Sequence, residues 1–362
     1  MRVIIAGGGT GGHLFPAVAL GEELKRERPE IEVLHVGTSN GLEAKWLPQS
    51  GLRYELFEVH GWTGRSPLAR LRALGEFFSA IRRARGLLKS FGAKLVVSAG
   101  GYASAPMAVA AIMSRTPLVL MEQNTRPGLA NRLLWRFARK ICVGFDDAAA
   151  YFGAARVTVT GNPVRFSVVP HPPCAPTGQL QILVLGGSSG AHRLNIGVVN
   201  ALKIWRKAVI NWTVVHQTGE ADVGLVQEAY RDFGHNAQVL PFIDDMAAAL
   251  DCADLVVARS GAMSVSEIAL AARPAIFVPY PFHRDRQQEL NARVIEQRGG
   301  AIIVRDDEHL GENLAVVLRE LVNDPARLLE MGRCAGGAAK ADAAARIARV
   351  CFEIADGERS TA

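Results

Sequence analysis

The chain has 362 residues, 49% of them hydrophobic and 21% charged, which is too long for one ordinary core and too apolar for a disordered chain, so two domains of about 150 to 200 residues are expected. Its five cysteines (142, 174, 252, 334, 351) form no Cys-x-x-Cys pair, which argues against structural zinc or a disulfide framework and suits a reducing compartment. The net charge of +6 is uneven: residues 1–165 carry 22 Lys+Arg against 12 Asp+Glu, a balance of +10 that leaves −4 for the rest. A basic half fits nucleic acid, an anionic membrane or simple solubility. Aromatics are sparse in the basic stretches and no nucleic-acid-binding signature is present, so no nucleic-acid partner is expected.

The chain opens Met-Arg and runs straight into Val3–Ala6, with no signal-peptide pattern. Its longest apolar run, Ala103–Met113, is interrupted by Pro106 and falls short of the ~18 residues of a membrane span. A cytoplasmic protein is expected. Val3–Ala6, Val33–Val36, Leu95–Ala99, Leu118–Met121, Lys140–Val143 and Val157–Thr160 read as buried strands separated by helical patterns. Residues 161–178 then concentrate Gly161, Pro163, Pro170, Pro172, Pro173, Pro176 and Gly178, a stretch unable to hold a regular element. Ile182–Leu185, Thr213–His216, Gln238–Leu240, Leu255–Ala258, Ala275–Val278 and Ala301–Val304 form a second strand series. The run Ala338–Ala355 reads as one or two terminal helices. The expected fold is α/β, with two doubly wound parallel-sheet domains in tandem.

Val3–Ala6 leads into Gly-Gly-Gly-Thr-Gly-Gly-His13, where Gly7, Gly9 and Gly12 satisfy G-x-G-x-x-G. A dinucleotide site would also need an acid at the end of the second strand, which instead ends Val36-Gly37-Thr38. A nucleoside-triphosphatase loop would need Lys where His13 stands. A plain βα connection remains open, with the glycines serving conformation alone. Bare N–H groups at a helix start otherwise attract anions. The same pattern recurs after Ile182–Leu185, in Gly186-Gly-Ser-Ser-Gly190. Two such turns at carboxyl ends of strands would face each other across an interdomain cleft. Loops at Gly100–Pro106, Glu122–Asn124, Arg259–Glu267 and His283–Glu289 also follow strands; each alone could be a polar helix cap.

Eight segments, GGGTGGHLFPA, SAGGYASAP, EQN, GNPVR, GGSSGAHRLN, FIDDMAAAL, ARSGAMSVSEI and PYPFHRDRQQ, follow one another between Gly7 and Gln288. In that order they resemble the MurG family, whose members transfer N-acetylglucosamine (GlcNAc) from UDP-GlcNAc to lipid I, the undecaprenyl-pyrophosphoryl-MurNAc-pentapeptide of peptidoglycan synthesis. The resemblance runs from Val3 to about Asn291 and implies a GT-B fold of two Rossmann-like domains. Residues 1–163 would bind the acceptor, residues 164–340 would bind UDP-GlcNAc, and a C-terminal helix at 341–362 would return to the first domain.

Carried over by motif, the resemblance implies a donor site of Thr10, Gly11, Gly12, Asn124, Arg165, Ser188, Ile243, Ala262, Met263, Ser264, Val265, Ser266, Glu267, Gln287 and Gln288. Glu267 would hold the ribose hydroxyls, Ile243 would meet uracil through its backbone, and Gln287 and Gln288 would lie by the sugar. No Asp-x-Asp motif is present, so neither a metal nor a cofactor is expected, and helix N-termini and basic side chains would stabilise the departing UDP. The donor is α-linked and the family product β-linked, which implies a single inverting displacement. His13 is the first candidate for the base, with helix capping or ligand binding as its other role, and Glu122 is the second candidate. The sequence departs from the family at Met121, where His is common, and at His192, where Arg is frequent.

A lipid-linked acceptor implies work at the cytoplasmic face of the inner membrane, as a peripheral enzyme alongside other cell-wall synthesis proteins. In residues 65–90, Leu68, Leu71, Leu74, Phe78 and Ile81 recur near helical spacing, with Arg65, Arg70, Arg72, Arg82, Arg83, Arg85 and Lys89 nearby. This segment is a candidate for an anionic lipid surface, although much of the stripe is expected to be ordinary core. The rivals are another GT-B glycosyltransferase, a UDP-GlcNAc epimerase, and a non-catalytic module that binds nucleotide sugars.

Overall fold

The computed structural model describes residues 1–59, 67–102, 104–164, 180–187, 190–205, 212–233, 237–283 and 285–357, without the side chains of 67–74 and 233. The chain divides into two compact units. Unit 1 comprises Met1–Arg165 together with Asp342–Ala362, and unit 2 comprises Phe166–Ala341.

In unit 1 the strands are β1 (Arg2–Ala6), β2 (Glu32–Thr38), β3 (Tyr54–Phe57), β4 (Leu95–Ser98), β5 (Leu118–Glu122), β6 (Lys140–Val143) and β7 (Val157–Val159). They form one sheet in the order β3-β2-β1-β4-β5-β6-β7, with every neighbouring pair parallel. Successive side chains of a strand point to opposite faces. On β1, Ile4 and Ala6 therefore join one buried cluster with Leu34, Val96 and the helix residues Ala84, Leu88 and Met107. Val3 and Ile5 join another cluster with Leu20, Leu24, Val97, Met121, Ile347 and Cys351. Burial on both faces explains why these strands read as unbroken apolar runs. The second cluster includes the terminal helix Ala343–Gly357. Arg28 anchors that helix through Asp356 at 2.9 Å, with its guanidinium over the Phe352 ring.

Unit 2 contains β8 (Leu180–Leu185), β9 (Trp212–Gln217), β10 (Ala237–Leu240), β11 (Leu255–Ala258), β12 (Ala275–Phe277) and β13 (Ala301–Ile303). Their order, β10-β9-β8-β11-β12-β13, is again wholly parallel. Both sheets place their first strand centrally and reverse direction beside it, the doubly wound arrangement that seats ligands beyond the carboxyl ends of strands. The helices His192–Ile204 and Leu310–Val322 approach closely through glycine. A Cβ on Gly197 would overlap Leu310, and one on Gly311 would press on Asn200.

One feature differs from the sequence reading. β3 was not expected: it is an edge strand whose Tyr54-Glu-Leu-Phe sequence buries only Phe57 fully. The Ala-rich run Ala338–Ala355 carries one helix, beginning at Ala343. Most of the Pro-rich stretch at 161–178 lies outside the described residues.

Candidate functional site

The expected site residues fall into two groups, one in each unit. In unit 1, β1 delivers the chain into Gly7–Gly9, and Gly9 takes a φ of 90°, where a side chain would be strained. Thr10 then caps the helix Gly11–Glu27 through its carbonyl, which accepts the N–H groups of His13 (3.2 Å) and Leu14 (3.1 Å). Its hydroxyl lies 3.1 Å from Nδ1 of His13. Further along, Pro16 has no N–H to offer the Gly12 carbonyl, so the first turn of this helix lacks one of its bonds.

The His13 ring is half-buried beneath the loop after β4. Gly100 and Gly101 both adopt positive φ there, and a Cβ on Gly100 would meet the His13 ring. Burial lowers the His13 pKa to about 4, against an opposing attraction from Glu43. The imidazole is therefore neutral near pH 7, the form that can accept a proton. Gln123 adjoins this loop, donating from Nε2 to the Ala99 carbonyl at 2.9 Å.

Glu43 is a residue that sequence reasoning missed. It is fully buried, and its two carboxylate oxygens each accept the Gly9 N–H at 2.9 Å. Oε1 also accepts the Thr38 N–H at 2.8 Å and the Thr38 hydroxyl at 2.7 Å. The acid absent from the end of β2 thus arrives five residues later and bonds the glycine turn at Gly9.

Glu122, at the end of β5, is also buried. Its carboxylate accepts the Asn124 N–H (3.0 Å) and side-chain amide (3.2 Å), the Gly128 N–H (3.0 Å) and the Asn131 side-chain amide (2.9 Å). Burial raises its pKa, and these bonds pull the other way. A carboxylate so surrounded shapes the loop that carries Asn124. Met121 is buried in the core.

In unit 2 the second turn bends at Gly187 and Gly190, both of positive φ, and a Cβ on Gly190 would strike the Thr218 carbonyl. Arg165 and Ser188 lie outside the described residues. His192 opens the following helix, with Nδ1 2.9 Å from Asp222. Asp222 also accepts from Asn195 at 2.7 Å, and Asn195 contacts the buried His216, which reaches the Tyr230 hydroxyl at 2.9 Å. Burial drives the His216 pKa down to about 3.

Ile243 is buried just beyond β10. Ala262, Met263, Ser264, Val265, Ser266 and Glu267 form the first two turns of the helix Ala262–Leu270, whose N-terminus follows β11. Met263 and Val265 are buried, so this helix end offers a ligand backbone and small polar groups, while the Ser266 hydroxyl donates to the Ala262 carbonyl at 2.8 Å. Gln287 and Gln288 begin the helix Gln287–Glu296 after β12, where Gln288 accepts the Tyr280 N–H at 2.9 Å. Asn291 of that helix donates to the Ser260 carbonyl at 3.3 Å, joining the two loops.

Below these loops lies a buried charge cluster that the sequence did not signal. Asp306, past β13, accepts Arg259 at 2.8 Å and Arg193 at 2.6 Å. Arg259 also donates to the carbonyls of Val278 (2.9 Å) and Pro279 (3.3 Å). Among the described residues no three His, Cys, Asp or Glu side chains cluster as a metal site requires.

Two doubly wound units, each with a glycine turn at the carboxyl end of its first strand, make up the GT-B fold, and the family models place the chain among the glycosyltransferases that use it. Residues 3–143 match the glycosyltransferase family 28 N-terminal domain and residues 181–347 the family 28 C-terminal domain. The chain is 40% identical over 352 residues to the UDP-N-acetylglucosamine–N-acetylmuramyl-(pentapeptide) pyrophosphoryl-undecaprenol N-acetylglucosamine transferase of Geobacter sulfurreducens, covering 96% of this chain and 97% of that one. The same enzyme of Syntrophotalea carbinolica is 40% identical over 355 residues, covering 98% and 99%. Among solved structures, Acinetobacter baumannii MurG matches with a TM-score of 0.77 at 31% identity, over 96% of this chain and 98% of that one. The chain belongs to the MurG family within glycosyltransferase family 28. A UDP-GlcNAc 2-epimerase from Neisseria meningitidis, with a TM-score of 0.69 at 13% identity over 98% and 100% of the two chains, shares the fold alone.

Proposed function

We propose that this chain transfers GlcNAc from UDP-GlcNAc to the 4-hydroxyl of MurNAc in lipid I, releasing UDP and lipid II. The observation that carries this reading is near full-length similarity to curated MurG enzymes; an epimerase is disfavoured because its likeness stops at the fold. The donor is held mainly by unit 2, at the Gly186–Gly190 turn and the helix starting at Ala262, with Ser188 and, from the last residue of unit 1 before the chain passes into unit 2, Arg165 on the diphosphate. Gln287 and Gln288 take the sugar, and Glu267 accepts the two ribose hydroxyls.

His13 is the base: neutral near pH 7, it takes the proton of the attacking hydroxyl as the anomeric carbon–UDP oxygen bond breaks and configuration inverts. Thr10 holds the ring, and Glu122 acts by shaping the Asn124 loop. The lipid-linked acceptor places the enzyme peripherally at the cytoplasmic face of the membrane. In support, no described helix is long and apolar enough to cross a membrane. Within the helix Pro67–Phe91, Ile81 is buried, while Phe78 is 62% exposed and lines an open groove with Arg82, Arg85, Lys89 and the exposed Met113. Arg65 and the side chains of Leu68, Leu71 and Leu74 lie outside the described residues.

The test is radiolabelled UDP-GlcNAc with a lipid I analogue, read by product mass and anomeric configuration. A β-linked disaccharide-lipid is expected, and UDP released without it would reject the assignment. His13→Ala should abolish most turnover; near-normal turnover would remove His13 as the base.

A further inference from the structure

The glycine turn of unit 1 has the sequence pattern of a phosphate-binding turn, and an acid from its own chain is bonded to it at Gly9. The two carboxylate oxygens of Glu43 accept the Gly9 N–H, the Thr38 N–H and the Thr38 hydroxyl, four contacts of 2.7 to 2.9 Å. The seat is built for this side chain. A Cβ on Gly8, Gly37 or Gly41 would overlap Glu43 atoms, so three separate backbone segments have given up side chains around it. A bare carboxylate buried at this depth needs strong hydrogen-bond donors; the glycine turn supplies one, the Gly9 N–H, and the end of β2 supplies the N–H and hydroxyl of Thr38.

We propose that Glu43 is a built-in anion that holds the first glycine turn at Gly9 and so acts as a positioning residue for His13. The Gly9 amide is committed to Glu43, so a ligand meeting this turn meets it at Thr10 to His13. Glu43 fixes Gly9 in its positive-φ conformation, Gly9 fixes Thr10, and Thr10 holds His13 through its hydroxyl and its carbonyl. The carboxylate is also the charge that favours the imidazolium formed when His13 takes up a proton. Glu43 and Tyr102, whose ring a Cβ on Gly9 would meet, are the titratable side chains packed on the turn itself, and Gln123 approaches from the loop after β5.

Because the role assigned to His13 rests on the proposed function, one arm of the test is independent of turnover. The His13 imidazole, assigned by its loss in His13→Asn, is titrated by NMR in the full-length protein and in Glu43→Gln. Glutamine brings two N–H donors into a seat already full of donors, and it removes the charge. The His13 titration should move to lower pH. In the transferase assay kcat should fall about tenfold to a hundredfold, the scale of a displaced catalytic group, with the KM for UDP-GlcNAc within about twofold of the parent. Thr38→Val deletes one hydroxyl donor to Glu43 but keeps its charge, so it should lower kcat in the same way by less; that readout serves if Glu43→Gln does not fold. An unmoved His13 titration, or a loss confined to the donor KM, would overturn the inference. A shifted titration in a protein that makes no disaccharide-lipid would overturn the functional reading and leave the built-in anion standing.

Discussion

Replacing Asp306 by Asn tests whether the donor loops rest on a buried charge. The Asp306 side chain is wholly buried, Arg259 is 9% exposed and Arg193 is 47% exposed. Breaking a buried ion pair by removing one partner costs about 3–5 kcal/mol, because the other charge is left in a poor solvent. Arg259 keeps the carbonyls of Val278 and Pro279, which offset part of this, and the exposed Arg193 arm adds at most about 1 kcal/mol. The expected loss is about 3 kcal/mol in unit 2. Native-state hydrogen exchange of the β8 and β11 amides reads it directly. The double replacement Arg259→Met with Asp306→Leu should recover most of the loss, since matched apolar groups leave no charge stranded. Arg259 directly precedes Ser260–Ala262, so the single variant should also raise the KM for UDP-GlcNAc. A loss below about 1 kcal/mol, or a double variant no more stable than the single, would refute the reasoning.

Two further outcomes concern protons and lipid. Burial depresses His13 and His35 in unit 1 to pKa values of about 4 and His216 in unit 2 to about 3, against about 6.5 in an unfolded chain. As pH falls below about 6.5 the unfolded chain gains two protons in unit 1 and one in unit 2 that the folded chain refuses. Unit 2 then loses about 1.4 kcal/mol per pH unit and unit 1 about twice that until the folded values are reached, while Glu122, held above its ordinary pKa, works the other way in unit 1. Thermal melts at pH 7, 6 and 5 should show this slope, and an unchanged slope for unit 2 in His216→Gln would contradict it. Phe78→Asp should weaken co-sedimentation with anionic vesicles severalfold and leave turnover of a short-chain acceptor unchanged; binding that ignores both the substitution and added salt would exclude this groove from membrane contact.

Legibility in the sequence followed the range over which each feature is encoded. Strands such as Val3–Ala6 and Leu255–Ala258 are buried on both faces, so they stand out as apolar runs, and the glycine turns after them are contiguous. β3 buries one side chain fully at a sheet edge and leaves no such run. Glu43 escaped because its partners Gly9 and Thr38 lie 34 and 5 residues away and no local spacing joins them. Gly8, Gly37 and Gly41 each look like an ordinary turn glycine until the side chain they surround is seen. Arg259 and Asp306 are 47 residues apart. Placing Ala262–Glu267 on a helix start was within reach of the pattern, but the inward aim of Met263 and Val265 was visible only in three dimensions.

The terminal helix Ala343–Gly357 closes a sheet face whose other members, among them Val3, Leu20, Leu24 and Met121, were made long before it. The chain leaves unit 1 at Arg165 and rejoins it at Asp342, with all of unit 2 in between. At about 5–20 residues per second, a ribosome needs roughly 10–35 s to cover that gap. Throughout it the nascent first unit carries an uncovered apolar face, while the second can already complete its sheet. Birth order and folding order are therefore reversed: the half that is begun first is finished last, and a chaperone has that interval in which to meet it.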